Sequence, residues 1–504
     1  MIRRLLIANR GEIARRIIRA CRELGIESVA VFSDADARAP HTLEADRAIR
    51  IGPPPSRESY LHVPAILEAA KTSAADAIHP GYGFLSEREP FARAVEEAGL
   101  IFVGPPASAL AKMGTKIGAR EIMAAAGVPL VPGETPTDQS DQALSAAAEA
   151  IGYPVLIKPA AGGGGIGMKT VRDAGDMSDA LSAARREAKA AFGNDALYIE
   201  RLIEKARHVE IQVFADHHGK TMHLFERECS AQRRHQKVVE ESPCPALTAS
   251  IRERMGSAAV AAAQAVGYRN AGTCEFLLEG DGDDARFYFL EMNTRLQVEH
   301  PVTEAVVGID LVHAQLRVAS GEPMPFAPRQ LSQRGHAIEC RIYAEDPAQG
   351  FLPQAGRILL YSEPQGPGIR VDSGVRQGSE VTVHYDPMLA KLIVHAATRH
   401  DARLRAITAL RQFAILGIRT NIPFLLRVLE HPAFVNADID TRFLDRESAS
   451  LVALIPGELP EPFAAAASEV RKRFAGSTPA THDTAHAGTP HAPDPFTALG
   501  AWRG

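Results

Sequence analysis

A glycine-rich loop between two short apolar segments is the feature that most constrains the fold of this chain. The loop at 162–167 follows a predicted strand at 151–159 that contains Lys158. Glycines let backbone N–H groups approach an anion closely and allow positive φ angles, so the loop suits a phosphate. A predicted strand at 168–171 disfavours a dinucleotide-binding fold, which needs a helix there, and Met168 stands where a P-loop has its lysine. A plain hairpin tip stays open as the structural alternative.

Between positions 291 and 299 every second residue carries a functional head group. The five are two carboxylates, a guanidinium and two amides, namely Glu291, Asn293, Arg295, Gln297 and Glu299. In an extended chain, a period of two places all five on one face. Alternation of this kind is also typical of a half-exposed strand, but these groups together can hold a metal and an anion. A strand that gives way to a loop after Asn293 would serve both ends equally well.

The composition indicates an ordinary soluble enzyme with several packed regions. The chain has 504 residues, of which 45% are hydrophobic and 23% charged, so two to four packed units are expected. A net charge of −5 gives no electrostatic case for nucleic acid or a membrane surface. Five scattered cysteines form no Cys-x-x-Cys pair, and no apolar run approaches the roughly 20 residues of a spanning helix. We therefore expect a cytoplasmic protein without nucleic-acid or membrane partners.

Alternating strand and helix patterns divide the chain. Residues 1–112 predict an open parallel sheet with helices on both faces, including a helix at 12–24 that Gly25 ends. A helical stretch is predicted at 113–127, and a small unit closes at 198–203. Further strands are predicted at 208–214, 221–227, 272–278, 287–290, 336–343, 357–361, 380–383 and 389–396, with helices at 252–266 and 399–413. The tail at 446–504 is predicted to be a helix and a linker, largely disordered after 475.

Several long motifs resemble the biotin carboxylase family. They are Ile-Ala-Asn-Arg-Gly-Glu-Ile at 7–13, His-Pro-Gly-Tyr-Gly-Phe-Leu-Ser-Glu at 79–87, Arg-Arg-His-Gln-Lys at 233–237, Glu-Met-Asn-Thr-Arg-Leu-Gln-Val-Glu-His at 291–300 and Asp-Pro-Met-Leu-Ala-Lys at 386–391. The resemblance runs from about residue 2 to 445. Segments 341–347 and 351–353 resemble, more narrowly, the biotin carboxylase part of acyl-CoA carboxylase α chains.

This resemblance implies a mixed α/β and α+β architecture. A Rossmann-like N-terminal domain would span 1–112. An ATP-grasp domain with a mobile lid at about 131–203 would span 113–320, and a β-rich C-terminal biotin carboxylase domain would span 334–445. The end of the chain resembles the start of a further domain, so a piece of a longer α chain and a stand-alone subunit are both open.

The resemblance also implies an activity and its partners. The family uses ATP and bicarbonate to carboxylate biotin through carboxyphosphate, a C–N bond-forming ligation that is the first half-reaction of acyl-CoA or acetyl-CoA carboxylases. ATP and Mg²⁺ or Mn²⁺, with two ions expected, would be the cofactors. Biotin would arrive on a carrier protein or domain, because the chain contains no Ala-Met-Lys-Met acceptor. A carboxyltransferase subunit and a homodimer are the other implied partners.

For the nucleotide and metal, the resemblance implies a set of named residues. Glu275 and Glu291 would bind the metal, with Asn293 as a weaker third ligand, because hard cations prefer oxygen ligands. The ATP-contacting residues would be Lys116, Lys158, Gly164, Gly165, Glu200, Arg201, Leu202, Ile203, His208, Gln232, His235, Glu275, Leu277 and Glu291. Ile166 departs from the Arg or Lys frequent in the family loop, and Arg201 from a frequent hinge lysine.

For the reaction itself, the resemblance implies a second set. Lys237, Arg295, Gln297 and the backbone of Val298 would bind bicarbonate, and Glu299 would be the general base. Arg341 would stabilise the oxyanion that develops on biotin, with Tyr82 and Asp386 shaping its pocket. Two cations beside Glu299 would lower its pKa unless burial offsets them. An ordinary ion pair with Glu345 or Asp346 is the structural alternative for Arg341.

Two other functions stay open. The first is another ATP-grasp ligase that makes an acyl phosphate from a carboxylic acid. The second is a nucleotide-binding assembly subunit without turnover, although the set Lys237, Arg295, Glu299 and Arg341 is complete.

Overall fold

The computed structural model describes residues 1–160, 167–234, 236–327, 331–453 and residue 468. Residues Met1–Leu454 form one unit by their contacts. The predictions for Gly164, Gly165, Ile166 and His235, the predicted linker after 475 and the side chain of Lys116 lie outside the described part. No helix in the described part is long and apolar enough to cross a membrane.

The first region is the predicted open parallel sheet. Its strands are β1 (Arg4–Ile7), β2 (Glu27–Ser33), β3 (Arg47–Gly52), β4 (Ala77–His79) and β5 (Ile101–Phe102), in the order β3-β2-β1-β4-β5, and its helices are α1 (Gly11–Leu24), α2 (Pro40–Glu44), α3 (Val63–Ser73), α4 (Glu89–Glu97) and α5 (Ala107–Met113). Leu5 packs with residues of α1, whereas Leu6 packs with residues of α3 and α4, because neighbouring strand residues face opposite sides. Gly25 ends α1 at a φ of 69°, as predicted.

A small antiparallel sheet follows. Its elements are α6 (Lys116–Ala125), β6 (Gly133–Glu134), α7 (Asp141–Ile151), β7 (Val155–Pro159), β8 (Lys169–Val171), α8 (Met177–Phe192) and β9 (Leu197–Arg201), and the strand order is β6-β9-β7-β8. The predicted helix at 113–127 is found as α6, but Met113 still belongs to α5, and α6 begins at Lys116 because the Thr115 hydroxyl accepts a hydrogen bond from the Gly118 N–H. The predicted strand at 151–159 starts too early, since α7 continues to Ile151 and ends at Gly152.

One antiparallel sheet of eight strands forms the centre of the molecule. From 206 to 319 the elements are β10 (Ala206–Ala215), β11 (Thr221–Arg233), β12 (Gln236–Ser242), α9 (Ala249–Val266), β13 (Asn270–Glu279), β14 (Arg286–Asn293), α10 (His300–Val307) and α11 (Leu311–Ala319). Three strands of the C-terminal region, β15 (His336–Tyr343), β20 (Ile369–Ser373) and β22 (Met388–Ala396), continue the same sheet. The order is β14-β13-β10-β11-β12-β15-β22-β20, so the sheet runs across the predicted domain limit at 320–334.

The remaining C-terminal elements cover one face of this sheet. They are β16 (Glu345–Asp346), β17 (Leu352–Pro353), β18 (Gly356–Arg357), β19 (Leu360–Ser362), β21 (Glu380–Val381), β23 (Ala414–Leu416), α12 (Arg399–Gln412), α13 (Ile422–Glu430), α14 (Pro432–Val435), α15 (Phe443–Arg446) and α16 (Ser448–Ala453). The predicted strand at 357–361 is wrong, because β18 pairs with β21 and β19 pairs with β23. The mixed α/β fold with a parallel N-terminal sheet is confirmed.

Candidate active site

Three carboxylates form a row across the central sheet. Glu210 on β10 lies directly opposite Glu275 on β13, and Glu275 lies directly opposite Glu291 on β14. Residues paired in this way share one face of an antiparallel sheet, with Cβ atoms about 5 Å apart. Glu210 and Glu275 are buried, whereas Glu291 is exposed at the edge of the row. The register therefore brings the two predicted metal-binding carboxylates together.

The alternating segment 291–299 is not one extended strand. Strand β14 ends at Asn293, and α10 begins at His300. The N–H of Thr294 and the guanidinium of Arg295 both donate to the Glu87 carboxylate of the N-terminal region, which turns the chain away from the sheet. Extension across all nine residues was therefore wrong, and a strand followed by a loop is the arrangement found.

The polar side chains of this segment still meet. One Nη of Arg295 lies 2.7 Å from the Gln297 side-chain oxygen, and the other lies 3.0 Å from that of Asn293. The side-chain amides of Asn293 and Gln297 both donate to the same oxygen of Glu275, at 2.7 and 3.2 Å. A network of hydrogen bonds thus replaces the strand geometry as the reason these groups are close.

Lys237 is the centre of the site. Its Nζ lies 2.6 Å from Glu299 Oε1 and 2.9 Å from Glu275 Oε1, and it also pairs with Glu210. His208 Nε2 lies 2.9 Å from the other oxygen of Glu275. Burial acts to lower the pKa of Lys237, but the three carboxylates outweigh burial and raise it well above its usual value. The lysine is therefore a fixed positive charge shared among three acids.

Arg341 approaches Glu299 from the opposite side. One Nη lies 3.0 Å from Glu299 Oε2, and Nε lies 2.5 Å from Glu240 Oε1. Glu345 pairs instead with Arg233, and Asp346 with Arg419, so the alternative ion pairs considered for Arg341 are wrong. The two predicted cations, Lys237 and Arg341, therefore each contact one oxygen of the predicted base, Glu299.

The protonation of these acids follows from burial against neighbouring charge. Burial acts to raise the pKa of Glu299, but Lys237 and Arg341 outweigh burial and hold it well below its usual value. The same balance, with Lys237 and His208, lowers the pKa of Glu275. For Glu240 burial wins over Arg341 and raises the pKa to about 7. Burial therefore does not offset the cations at Glu299, which carries its charge at neutral pH.

A second cluster lies where β7 and β9 pair. Lys158 Nζ lies 2.5 Å from one oxygen of Glu200, and Arg120 pairs with the other. Arg201 donates to Glu279 at 2.7 Å and to the Tyr288 hydroxyl at 2.9 Å. Two other predicted nucleotide-contacting residues, Leu202 and Ile203, lie in the connection between β9 and β10. The remaining ones lie on strands β10, β11 and β13 of the central sheet, namely His208, Gln232 and Leu277. A cavity of about 540 Å³ opens beside Arg201 and Leu202.

The other two residues predicted to contact biotin, Tyr82 and Asp386, lie in loops, one after β4 and one before β22. Tyr82 has its ring centroid 5.9 Å from Lys391 Nζ, and its buried hydroxyl has no hydrogen-bond partner among the described residues. Asp386 is exposed and accepts the Met388 N–H at 2.8 Å. The carbonyl of Val298 accepts a hydrogen bond from Lys391 at 2.7 Å.

Several residues of the site were not singled out from the sequence. Glu210 and Glu240 lie on strands β10 and β12, and each contacts one of the two central cations. Glu87 and Lys391 end two of the quoted motifs, which was a usable signal, but no role was assigned to them. Glu210 sits between Val209 and Ile211 in an otherwise apolar strand, a pattern that also indicates a special acid.

The donor set at the end of the row fits a hard divalent cation. Glu275 and Glu291 offer carboxylate oxygens, which Mg²⁺ and Mn²⁺ prefer. The side-chain oxygen of Asn293 faces Arg295 in this structure, so Asn293 would have to turn to become a ligand. Among the described residues, His208, Glu210 and Glu275 also bring ligand atoms within 4.8 Å of one another, but Lys237 contacts both of these carboxylates.

Comparison with known proteins decides the family. Three family models match, described as "Biotin carboxylase, N-terminal domain" at 1–110, "Carbamoyl-phosphate synthase L chain, ATP binding domain" at 115–327 and "Biotin carboxylase C-terminal domain" at 339–446. Biotin carboxylase 1 of Bacillus subtilis strain 168 is 53% identical, over 88% of this chain and 98% of the relative. The chain belongs to the biotin carboxylase family. It is an ATP-dependent ligase, as the motifs implied.

Other relatives of this chain include a longer protein and a domain of known crystal structure. Methylcrotonoyl-CoA carboxylase subunit alpha of Mus musculus is 51% identical, over 90% of this chain but only 63% of the mouse protein. A crystal structure of the biotin carboxylase domain dimer of Hydrogenobacter thermophilus 2-oxoglutarate carboxylase, in complex with MgADP, ADP and bicarbonate, has a TM-score of 0.85 and 43% identity. It covers 90% of this chain and is itself covered to 99%. The fold class and the enzyme class are confirmed, whereas the individual site residues remain predictions.

Proposed function

We propose that the cluster around Glu299 carries out the carboxylation of biotin with bicarbonate and ATP in this chain. The observation that supports it most is that Lys237 and Arg341 hold the two oxygens of Glu299 while Lys237 also touches Glu275. One lysine thus joins a predicted metal-binding carboxylate to a predicted base. The row of carboxylates would serve phosphate activation, and the Glu299 end would serve proton removal.

The metal would be held by Glu275 and Glu291, with Asn293 as a third ligand after its side chain turns. When bound, such a cation neutralises phosphate oxygens and keeps attacking and leaving atoms in line. Lys116, Lys158, Gly164 and Gly165 would hold the phosphates. Glu200, Arg201, Leu202 and Ile203 would line the nucleotide site, with His208, Gln232, His235 and Leu277 near them.

Bicarbonate would bind between Lys237 and Arg295, beside Gln297 and the backbone of Val298. A planar guanidinium suits a carboxylate-like anion bidentately, and the ammonium adds a point charge. Lys237 and Arg295 are occupied by protein carboxylates here, so the anion would compete with Glu210, Glu275, Glu299 and Glu87 for them. Transfer of Lys237 from Glu299 to the anion would raise the pKa of Glu299 and strengthen it as a base.

Biotin would bind beside Arg341, with Tyr82 and Asp386 at its pocket. The guanidinium would stabilise the negative charge that develops on the ureido oxygen. Arg341 is fixed by Glu240 as well as by Glu299, so its position does not depend on the base alone. A fixed donor needs no reorganisation as the charge forms.

The wider assembly is also proposed from the relatives. The mouse methylcrotonoyl-CoA carboxylase subunit supports a role in the first half-reaction of an acyl-CoA carboxylase, with biotin on a carrier protein or domain and a carboxyltransferase subunit as partners. The domain dimer of the Hydrogenobacter protein supports a homodimer. Five free buried cysteines support a reducing compartment such as the cytoplasm.

The test is ATP hydrolysis that requires both bicarbonate and free biotin. The purified chain is assayed for phosphate release with Mg²⁺ and ATP, with each substrate omitted in turn, and for carboxybiotin by trapping labelled bicarbonate. Carboxybiotin formed in proportion to phosphate supports the proposal. Hydrolysis that does not rise when both substrates are present would overturn it and favour a different ATP-grasp ligase.

A further inference from the structure

Lys391 is a fully buried lysine on β22 that the reaction as described does not use. It lies directly opposite Arg341 on β15, so two cations face each other across neighbouring strands. Like charges in such positions destabilise a sheet, and a buried ammonium loses its hydration at a cost of several kcal/mol. An apolar residue would pack there more easily. The contacts that Lys391 makes must therefore explain why a buried ammonium is present at this position.

The hydrogen bond of Lys391 leads to the backbone before Glu299. Its Nζ donates to the carbonyl of Val298 at 2.7 Å. The Val298 carbonyl and the Glu299 N–H belong to the same planar peptide group. Fixing this carbonyl fixes the plane from which the Glu299 Cα and side chain extend. Glu299 is also the residue immediately before α10, so no regular strand holds it in place.

The ion pair of Lys391 leads to the N-terminal region. Glu12, in the first turn of α1, lies 3.3 Å from the ammonium, and apart from this contact neither Glu12 oxygen has a hydrogen-bond partner among the described residues. Burial raises the pKa of Glu12 to about 7 despite Lys391. Two other acids lie near the ammonium: Glu339 on β15 and Asp372, which is directly opposite Lys391 on β20, but it is Glu12 that forms the ion pair at 3.3 Å.

From these contacts we infer that Lys391 is a positioning residue for Glu299. The ammonium holds the Val298 carbonyl, and Glu12 holds the ammonium, so the base keeps its place between Lys237 and Arg341. The inference rests on the proposed role of Glu299. It requires the donated hydrogen bond, whereas the charge of Lys391 balances Glu12 and the Asp372 carboxylate opposite it on β20.

Two paired replacements separate the hydrogen bond from the charge. In Glu12→Met/Lys391→Met both charges and the donor are removed together. In Glu12→Gln/Lys391→Gln the charges are removed, but the side-chain amide at position 391 can still donate to the Val298 carbonyl. Each variant is measured for nucleotide affinity by calorimetry, for thermal unfolding, and for kcat and KM of bicarbonate in biotin-dependent ATP hydrolysis.

The Met pair should lower kcat by about 100-fold, the usual effect of misplacing a reacting group by about 1 Å, while nucleotide affinity changes less than about twofold. The Gln pair should keep kcat within about fivefold of the unchanged protein, a smaller loss than one misplaced group causes. Equal kcat in the Met pair and the unchanged protein would overturn the inference.

If the Met pair does not fold, the Gln pair tests the inference by itself. A loss of kcat beyond about 30-fold in the Gln pair, or about 2 kcal/mol of activation free energy, would show that the donor alone is insufficient and would overturn the inference. Failure of the proposed function is a separate outcome. In that case the unchanged protein itself shows no hydrolysis that depends on biotin and bicarbonate.

Discussion

The Nζ of Lys237 lies 2.6 Å from Glu299 and 2.9 Å from Glu275, so a single ammonium joins the two ends of the site. Glu299 is buried, and the Lys237 and Arg341 charges keep its pKa low despite burial. The base of the proposed reaction is therefore ionised in this state, and its strength depends on where Lys237 goes. This relationship leads to the first prediction.

Glu299→Gln should lower carboxybiotin formation by about 10²- to 10⁴-fold, the usual contribution of a general base. Nucleotide affinity should stay within about twofold, because Lys237 keeps Glu210 and Glu275 as partners. The expected change in binding free energy is as small as that of a typical surface substitution. Isothermal titration with ATP and a labelled-bicarbonate assay measure the two quantities. Glu89→Gln, on helix α4, is the matched control. Loss of nucleotide binding in Glu299→Gln would show that its role has been misassigned.

Glu291→Gln should raise the Mg²⁺ concentration needed for half-maximal ATP hydrolysis about tenfold, as expected when one charge-assisted contact is weakened. Glu291 is exposed, so the free energy of unfolding should change by no more than about 0.5 kcal/mol. Glu275→Gln should raise the Mg²⁺ requirement by a similar factor but also lower the free energy of unfolding, because Glu275 is buried against Lys237 and His208. Titration of Mg²⁺ and urea unfolding test both. An unchanged Mg²⁺ requirement in both variants would exclude this pair as the metal site.

Arg341→Met should destabilise the fold by about 3 to 5 kcal/mol, because the buried Glu240 loses its ion-pair partner. The loss should be larger at pH 8 than at pH 6, since the pKa of Glu240 is about 7 even with Arg341 present and the acid becomes neutral more easily at pH 6. Urea unfolding at the two pH values checks this. Adding Glu240→Gln should restore most of the stability but not the biotin-dependent activity. Recovery of activity in the double variant would contradict the proposed role of Arg341.

His41→Leu should make the protein less sensitive to acid. Burial lowers the pKa of His41 to about 4, so folding favours the neutral ring. Its contribution to stability is complete above the ordinary value of about 6.5 and is lost as the pH falls toward 4. The decrease in unfolding free energy between pH 7 and pH 4.5 should therefore shrink by about 2 kcal/mol in the variant. The exposed His384, changed in the same way, is the control. An equal decrease in both variants would contradict the prediction.

Local patterns predicted much of the secondary structure. The helix at 12–24 with Gly25 as its end, and the strand at 336–343, agree with the structure because period and capping are encoded in adjacent residues. Errors arose where a boundary depends on one contact, as at Thr115, or on the choice of partner strand, as at 357–361. Sequence periodicity does not report these partners.

The sequence by itself determined the family, the strand and helix types, and the set of charged residues. Only the tertiary structure decided how those charges are paired. Glu210 and Glu275 are 65 positions apart in sequence, yet strand register places them side by side and Lys237 between them and Glu299. The pKa of Glu299 depends on distances to Lys237 and Arg341 and on burial, and all three arise from long-range packing that no local pattern encodes.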